Sequence, residues 1–260
     1  MILEKTTDLT YIPKRIISLV PSQTELLHYL GLENETIAIT KFCVHPKEWF
    51  NKKPKVGGTK TIKINLIRQL KPDLIIANKE ENVKEQVEEL AADYPVWLTD
   101  VNNLEDALQM IKDIGALTSK LADAGQLIKK INADFASLAQ PQTANHKPKT
   151  AYLIWRDPYM ATGADTFISD MLLKCGFKNA FAGKKRYPEI SIADMKNANC
   201  QFILLSSEPY PFKEKHITEL SGQLLDCKIV LVDGEMFSWY GSRLLLAPAY
   251  FEELIKTLGK

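Results

Sequence analysis

Short apolar runs alternate along the chain with stretches whose apolar residues recur at helical spacing. Arg15–Val20 (RIISLV) is a β-branched run ending at Pro21, and Ser22 and Glu25 stand at capping-box spacing ahead of TELLHYL, which Gly31 stops. The pattern predicts strand, tight loop, helix. Thr36–Thr40 reads as the next strand, followed by a loop through Phe42 and His45-Pro46 and a short helix at Asn65–Leu70. LIIA after Pro72-Asp73 is a buried-strand candidate, VKEQVEELAA a helix with its charges on one face, VWL a strand and LEDALQMIKDIG a helix. Strands alternating with helices imply an α/β fold with a parallel sheet.

From Thr118 to Gln140 only Gly125 interrupts, and Leu121, Ile128, Ile131, Phe135 and Leu138 recur at helical spacing. One long helix is expected, spanning roughly 30 Å and long enough to run along two lobes. PQTANHKPK then has the polar, Pro-bearing character of a linker. Alternation restarts with AYLIW, TFISDMLLKC closed by Gly176, FILLS, KIVLV and the helix LLLAPAYFEELIKTL. The expected organisation is a first α/β lobe over 1–117, a connecting helix over 118–140 and a second α/β lobe over 141–260, both lobes Rossmann-like with parallel sheets. KPDLIIA running to Glu80 and Glu81, and CQFILLS running to Glu208, have the look of an internal repeat.

The 260 residues carry 33 basic and 32 acidic side chains, a formal charge of +1, so no global field draws the chain to nucleic acid or an anionic membrane. Cys43, Cys175, Cys200 and Cys227 form no CxxC pair, which suggests buried free thiols rather than a zinc or redox motif. Glu4 and Asp8 precede a first apolar run too short for a signal peptide, and no stretch reaches the ~18 apolar residues of a membrane span. The sequence contains no GxGxxG, GxxxxGK[ST], GxSxG or HExxH, and GGTKT resembles a phosphate loop only superficially. Of four histidines, His28 falls in a helix and His146 in the linker, so a three-histidine metal site is not expected, nor any catalytic set.

The loops after the strands hold the candidate chemistry, because open parallel sheets bind ligands outside the carboxyl ends of their strands. In the first half these are Ser22, Phe42, His45 and Lys60; in the second, Trp155, Tyr159, Tyr210, Phe237, Trp239, Tyr240 and Arg243. Rigid rings with a polar edge suit a bulky, flat, partly polar ligand, and they equally suit capping a lobe core. Arg243 has the fork to take a carboxylate or phosphate, or to tie its loop down.

RIISLVPSQTELLHYLGL, IAITKFCVHP, KVGGTKTIKINLIRQLKPDLIIA and VKEQVEELAADYPVW together resemble the first lobe of the ABC-importer binding proteins built on a single backbone helix, above all the cobalamin-binding and iron-siderophore-binding members. The second half is similar mainly in the order of its elements. The resemblance implies the class III periplasmic binding protein fold, a cleft between two lobes, and a monomer that is not an enzyme. It further implies a corrinoid or ferric chelate as ligand, with no covalent cofactor, and an ABC permease as partner. Phe42 and His45 fall where cobalamin-binding members carry ligand-facing aromatics, whereas Thr59 stands near a position where they can have tryptophan. The family docks on its permease through an acidic residue of each lobe, here Glu81 or Glu85 and Glu208 or Glu214. The implied location is periplasmic or extracytoplasmic, although the expected lack of a signal peptide keeps a cytoplasmic location open. An intracellular corrinoid or haem carrier, or a corrinoid-processing enzyme using Cys43 with His45, Asp233 or Glu208, is the alternative. Direct metal binding by His45 with Glu81, Glu208 or Asp233 is another.

Overall fold

The computed structural model describes residues 1–138 and 147–259. Most of the expected linker, His146 included, lies outside them. The described residues form two compact units, one of Met1–Val101, Glu105–Asn132 and Trp239–Arg243, the other from Asn102–Leu104, Ala133–Ser238 and Leu244–Lys260.

The first unit contains β1 (Ile2–Leu3), β2 (Ile16–Ser18), α1 (Pro21–Tyr29), β3 (Thr36–Ile39), α2 (Lys47–Lys52), α3 (Ile64–Leu70), β4 (Leu74–Asn78), α4 (Lys84–Asp93) and β5 (Val96–Thr99). Its sheet has the order β1-β5-β4-β2-β3 and every pair is parallel. All five residues of β4 and all three of β2 are buried, so both faces of the sheet are covered and neither strand shows hydrophobic alternation. One covering layer packs Val87 and Leu90 of α4 and Ile67 of α3 onto Ile17, Ile75 and Val96.

LEDALQMIKDIG falls in α5 (Leu104–Leu117), and the long helix expected over 118–140 is, after a turn, α6 (Leu121–Ala136), about 24 Å long; residues 139 and 140 lie outside the described residues. Ser119 adopts a left-handed φ of 58°, and Lys120 N donates to Gly115 O at 2.7 Å, closing α5. The turn folds α6 back onto α5: a Cβ on Gly115 would stand 2.5 Å from that of Ala124. The boundary between the units falls inside α6, between Asn132 and Ala133. Its final turn contributes Phe135, edge-on to Phe251 at 6.4 Å within the second unit.

The second unit contains β6 (Lys149–Trp155), β7 (Met160–Ala161), α7 (Phe167–Lys174), β8 (Lys178–Asn179), α8 (Ile192–Asn197), β9 (Phe202–Ser206), α9 (Glu214–Ser221), β10 (Lys228–Val232), α10 (Glu235–Ser238) and α11 (Ala247–Leu258). Its sheet runs β10-β9-β6-β7, with β8 also on β6. The sheet is not wholly parallel, because β7 returns antiparallel to β6. Only four residues join the two strands, and a parallel neighbour needs a crossover of a dozen or more. Strand order supports the repeat noticed in the sequence, since β10-β9-β6 matches β5-β4-β2 with α9 and α4 as the corresponding crossovers. The elements absent from the expectation are short: α2 buries only Trp49, and α8 opens on a Ser191–Asp194 capping box. Too few turns exist in either to display a period.

Gly115→Ala should destabilise the protein by about 1–3 kcal/mol in urea unfolding, since the added methyl must push α6 away. Gly125→Ala, with nothing within 4 Å of its Cβ, should stabilise by about 0.5–1 kcal/mol. Equal effects of the two substitutions would refute the close α5–α6 approach.

Candidate functional site

With both faces of the first sheet covered, the polar and aromatic side chains of the first unit gather on the loops at the carboxyl ends of β2, β3 and β4. β2 leads directly into α1, whose N-cap is Val20 with Pro21 in the first turn and no capping side chain. The expected Ser22–Glu25 capping box is therefore not formed. Proline preorganises the first turn and opens the helix two residues earlier, which puts Ser22 and Glu25 inside it. Ser22 is buried, and Glu25 reaches Arg243: Arg243 Nε donates to Oε2 at 2.9 Å and Nη2 to Oε1 at 2.7 Å.

This bidentate pair ties the segment Trp239–Arg243 into the first unit, far from its place in the sequence. The Arg243 guanidinium also lies 4.9 Å from the Trp239 ring, and Trp239 meets the His45 ring edge-on at 5.4 Å. Gly241, at φ 110°, brings the backbone against Ser22 O and Leu26, where a Cβ would sit 3.3 Å from each. Tyr240 is buried beside Gln23 and Ser22, and burial with the nearby Glu81 and Glu80 carboxylates pushes its phenol well up. Of the two roles open to Arg243, tying the loop is the one observed.

Beneath the rim lies a polar network that the sequence did not reveal. Asn82 Nδ2 donates to Leu19 O and Thr59 O, Asn78 Nδ2 to Thr99 Oγ1, and Gln23 Nε2 to Thr99 Oγ1 at 2.6 Å. The Lys60 ammonium donates to Glu80 O, joining the Gly57–Lys60 turn to the loop after β4. These bonds fix the loops from below and leave Phe42 at the surface, half exposed, with the Lys41 ammonium 5.0 Å from its ring. Buried Asn and Gln have no sequence signature of their own; only the assembled loops disclose what they hold.

In the second unit Trp155 is 41% exposed at the end of β6 and touches Tyr210 edge-on at 5.7 Å. Tyr210 packs on Phe212 at 4.8 Å and on the buried ring of His216. His216 Nδ1 accepts from Lys213 N at 2.8 Å, and burial lowers the affinity of the ring for a second proton. Arg156 Nη2 donates to both oxygens of Glu219, at 2.7 Å to Oε1 and 2.9 Å to Oε2, which holds the Glu219 carboxyl below its usual range. Tyr159 is half-buried, its phenol raised by burial against the opposing pull of Arg156. Phe237 does not belong with these rings: it is fully buried, 5.2 Å from Tyr152 and 4.8 Å from Phe251, a core residue of α10.

Among the acidic candidates, Glu85 and Glu214 are exposed in the first turns of α4 and α9, at corresponding places in the two units. Glu81 is partly buried, and Glu208 accepts from Ser238 Oγ at 2.6 Å. Cys43 is fully buried and burial pushes its thiol up, which opposes nucleophilic use, against the smaller opposite pull of the hydrogen bonds that Thr24 and Thr40 make with the sulfur. Asp233 accepts from Glu235 N at the start of α10. Among the described residues no group of three His, Cys, Asp or Glu is arranged to hold a metal ion, and no helix is long and apolar enough to cross a membrane.

The cycle formed by Glu25→Gln and Arg243→Ala should return a coupling of about 2 kcal/mol in denaturant unfolding. Coupling near zero would mean that the loop is held by its rings alone. With a thiol reagent on the native, reduced protein, Cys43 should remain unlabelled until unfolding; fast native labelling would contradict its burial.

The periplasmic binding protein family model matches residues 16–222. A vitamin B12-binding protein of Photorhabdus laumondii is 28% identical over 250 residues, covering 95% of this chain and 88% of that protein. An uncharacterised ABC transporter substrate-binding lipoprotein of Bacillus subtilis is 27% identical over 190 residues, 69% of this chain and 59% of the lipoprotein. Among solved structures, the periplasmic heme-binding protein RhuT from a Roseiflexus species superposes with a TM-score of 0.81 at 20% identity, over 95% of this chain and 99% of that one. The vitamin B12-binding protein BtuF of Vibrio cholerae gives 0.75 at 21% identity, over 95% and 98%. With matching strand order in both units and a family match over most of its length, the chain belongs to the periplasmic binding protein family.

Proposed function

We propose that the chain is the substrate-binding component of an ABC importer and that its ligand is a metal chelate, a corrinoid or a ferric siderophore. The observation that carries this is the kinship with vitamin B12-binding proteins along nearly the whole chain. The exposed rings of Phe42 and Trp155 agree with it, because they stand at the carboxyl ends of strands in the two units and offer flat apolar faces to a flat ligand. Half-buried His45, Tyr159 and Tyr210 supply polar edges beside them. Trp239, Tyr240 and Arg243 serve as the scaffold of the first rim, and Ser22 and Lys60 as its anchors.

The protein acts by binding and release, without turnover, in an extracytoplasmic compartment. The burial of Cys43 weighs against a covalent mechanism. Glu85 and Glu214 are the preferred contacts to the permease, since both carboxylates are exposed and both begin a crossover helix.

Titration of the purified chain with cobalamin, haemin and ferric siderophores should give saturable binding to one class, visible in the ligand's absorbance. Trp155→Ala and Phe42→Ala should each weaken it about tenfold, about 1.4 kcal/mol, with the unfolding midpoint unchanged. A folded protein that binds none of the three would overturn the proposal. The double substitution Glu85→Lys with Glu214→Lys should keep ligand affinity and abolish stimulation of the cognate importer's ATPase in proteoliposomes; unimpaired stimulation would reassign the docking residues.

A further inference from the structure

Two of the four cysteines are neighbours across the second sheet. Cys200 lies two residues before β9 and Cys227 immediately before β10, and the two strands pair in parallel with Phe202 opposite Lys228. Extending that register backward places Cys200 opposite Asp226, one residue from Cys227. Strand spacing and rise then set the two Cα atoms about 6 Å apart. That separation falls inside the range a disulfide spans.

Both side chains pack on the same core cluster. Asn199, at φ 49°, turns the chain so that Cys200 enters the core cluster with Met195, Ile203 and Ile229, and Cys227 packs against the same cluster. The Cys227 thiol donates to Cys200 O at 2.8 Å. Cys200 is 4% exposed and Cys227 partly exposed, so one sulfur is accessible and the other sits behind it. Cys43 and Cys175 are both buried and elsewhere in the fold.

We propose that Cys200 and Cys227 are a modification site, joining in a disulfide that staples the start of β9 to the start of β10 whenever a low-molecular-weight or protein disulfide is present as oxidant. The Cys227 thiolate attacks the oxidant's disulfide, forming a mixed disulfide and releasing one thiolate. The Cys200 thiolate then attacks the Cys227 sulfur and expels the second. Two protein thiols lose two electrons and their two protons, and the oxidant is recovered as two thiols. Burial holds both thiols up, Cys200 to about 11, so closure accelerates as pH rises. The cross-link encloses residues 201–226 and limits the freedom of the unfolded chain.

The full chain is incubated with oxidised glutathione at pH 8.5, freed of excess reagent, denatured and alkylated, beside a sample reduced with dithiothreitol. Two of the four thiols should escape alkylation, and trypsin should release peptide 197–213 linked to peptide 216–228. The oxidised protein should melt about 5 °C or more above the reduced one. In Cys227→Ser all three remaining thiols should be alkylated and the melting temperature should no longer respond to oxidant. Four alkylated thiols, a persistent glutathione adduct on Cys227, a link through Cys43 or Cys175, or linked peptides with an unchanged melting temperature would each overturn the proposal.

Discussion

The structure depends on a sheet in each unit whose central strands are covered on both faces. When β2, β4 and the middle of β9 are buried on each side, their apolar side chains can do nothing but pack. Exposed rings and loop polar groups are thereby displaced to the strand ends, where the backbone must turn and where hydrogen bonds unused by the ladder are available. The same confinement explains the polar content beneath the first rim. Loops that carry exposed rings need fixed backbones, and Asn78, Asn82, Gln23 and Thr99 provide the fixing without claiming surface.

Much of this was readable in the sequence because fully buried strands announce themselves as unbroken apolar runs. FILLS and KIVLV coincide with β9 and β10, and the LIIA run lies within β4. Glycine punctuation worked where conformation demanded it, as at Gly31, whose φ of 72° ends the turn after α1. The misreadings came from signals with two physical solutions. Ser22 and Glu25 satisfy a capping-box pattern, but Pro21 opens the helix two residues earlier and releases the carboxylate for Arg243. The helix expected over 118–140 begins later, at Leu121, because Ser119, at a left-handed φ, belongs to the turn that closes α5.

The aromatic and basic loop residues stand out in the sequence, but their burial does not. An aromatic residue in a loop is the same letter whether it faces solvent or core, so Phe237 and Trp155 were indistinguishable until burial separated them. Arg243 posed the same difficulty in charged form. Its partner lies 218 positions away, a distance at which no local pattern can connect two side chains. The neighbourhood of Cys200 and Cys227 is hidden for a related reason: parallel register joins residues separated by an entire crossover helix.

The Glu25–Arg243 pair also says something about how the molecule is made. During synthesis Glu25 emerges 218 positions ahead of the arginine that completes its surroundings. The first unit therefore leaves the ribosome with an acidic side chain awaiting its cation through the production of nearly all the intervening polypeptide. Closure between such remote residues carries a large ordering cost and belongs late in folding. For the same reason the two units are not interchangeable cassettes: a gene fragment ending within α6 would encode the first without the strap that finishes it.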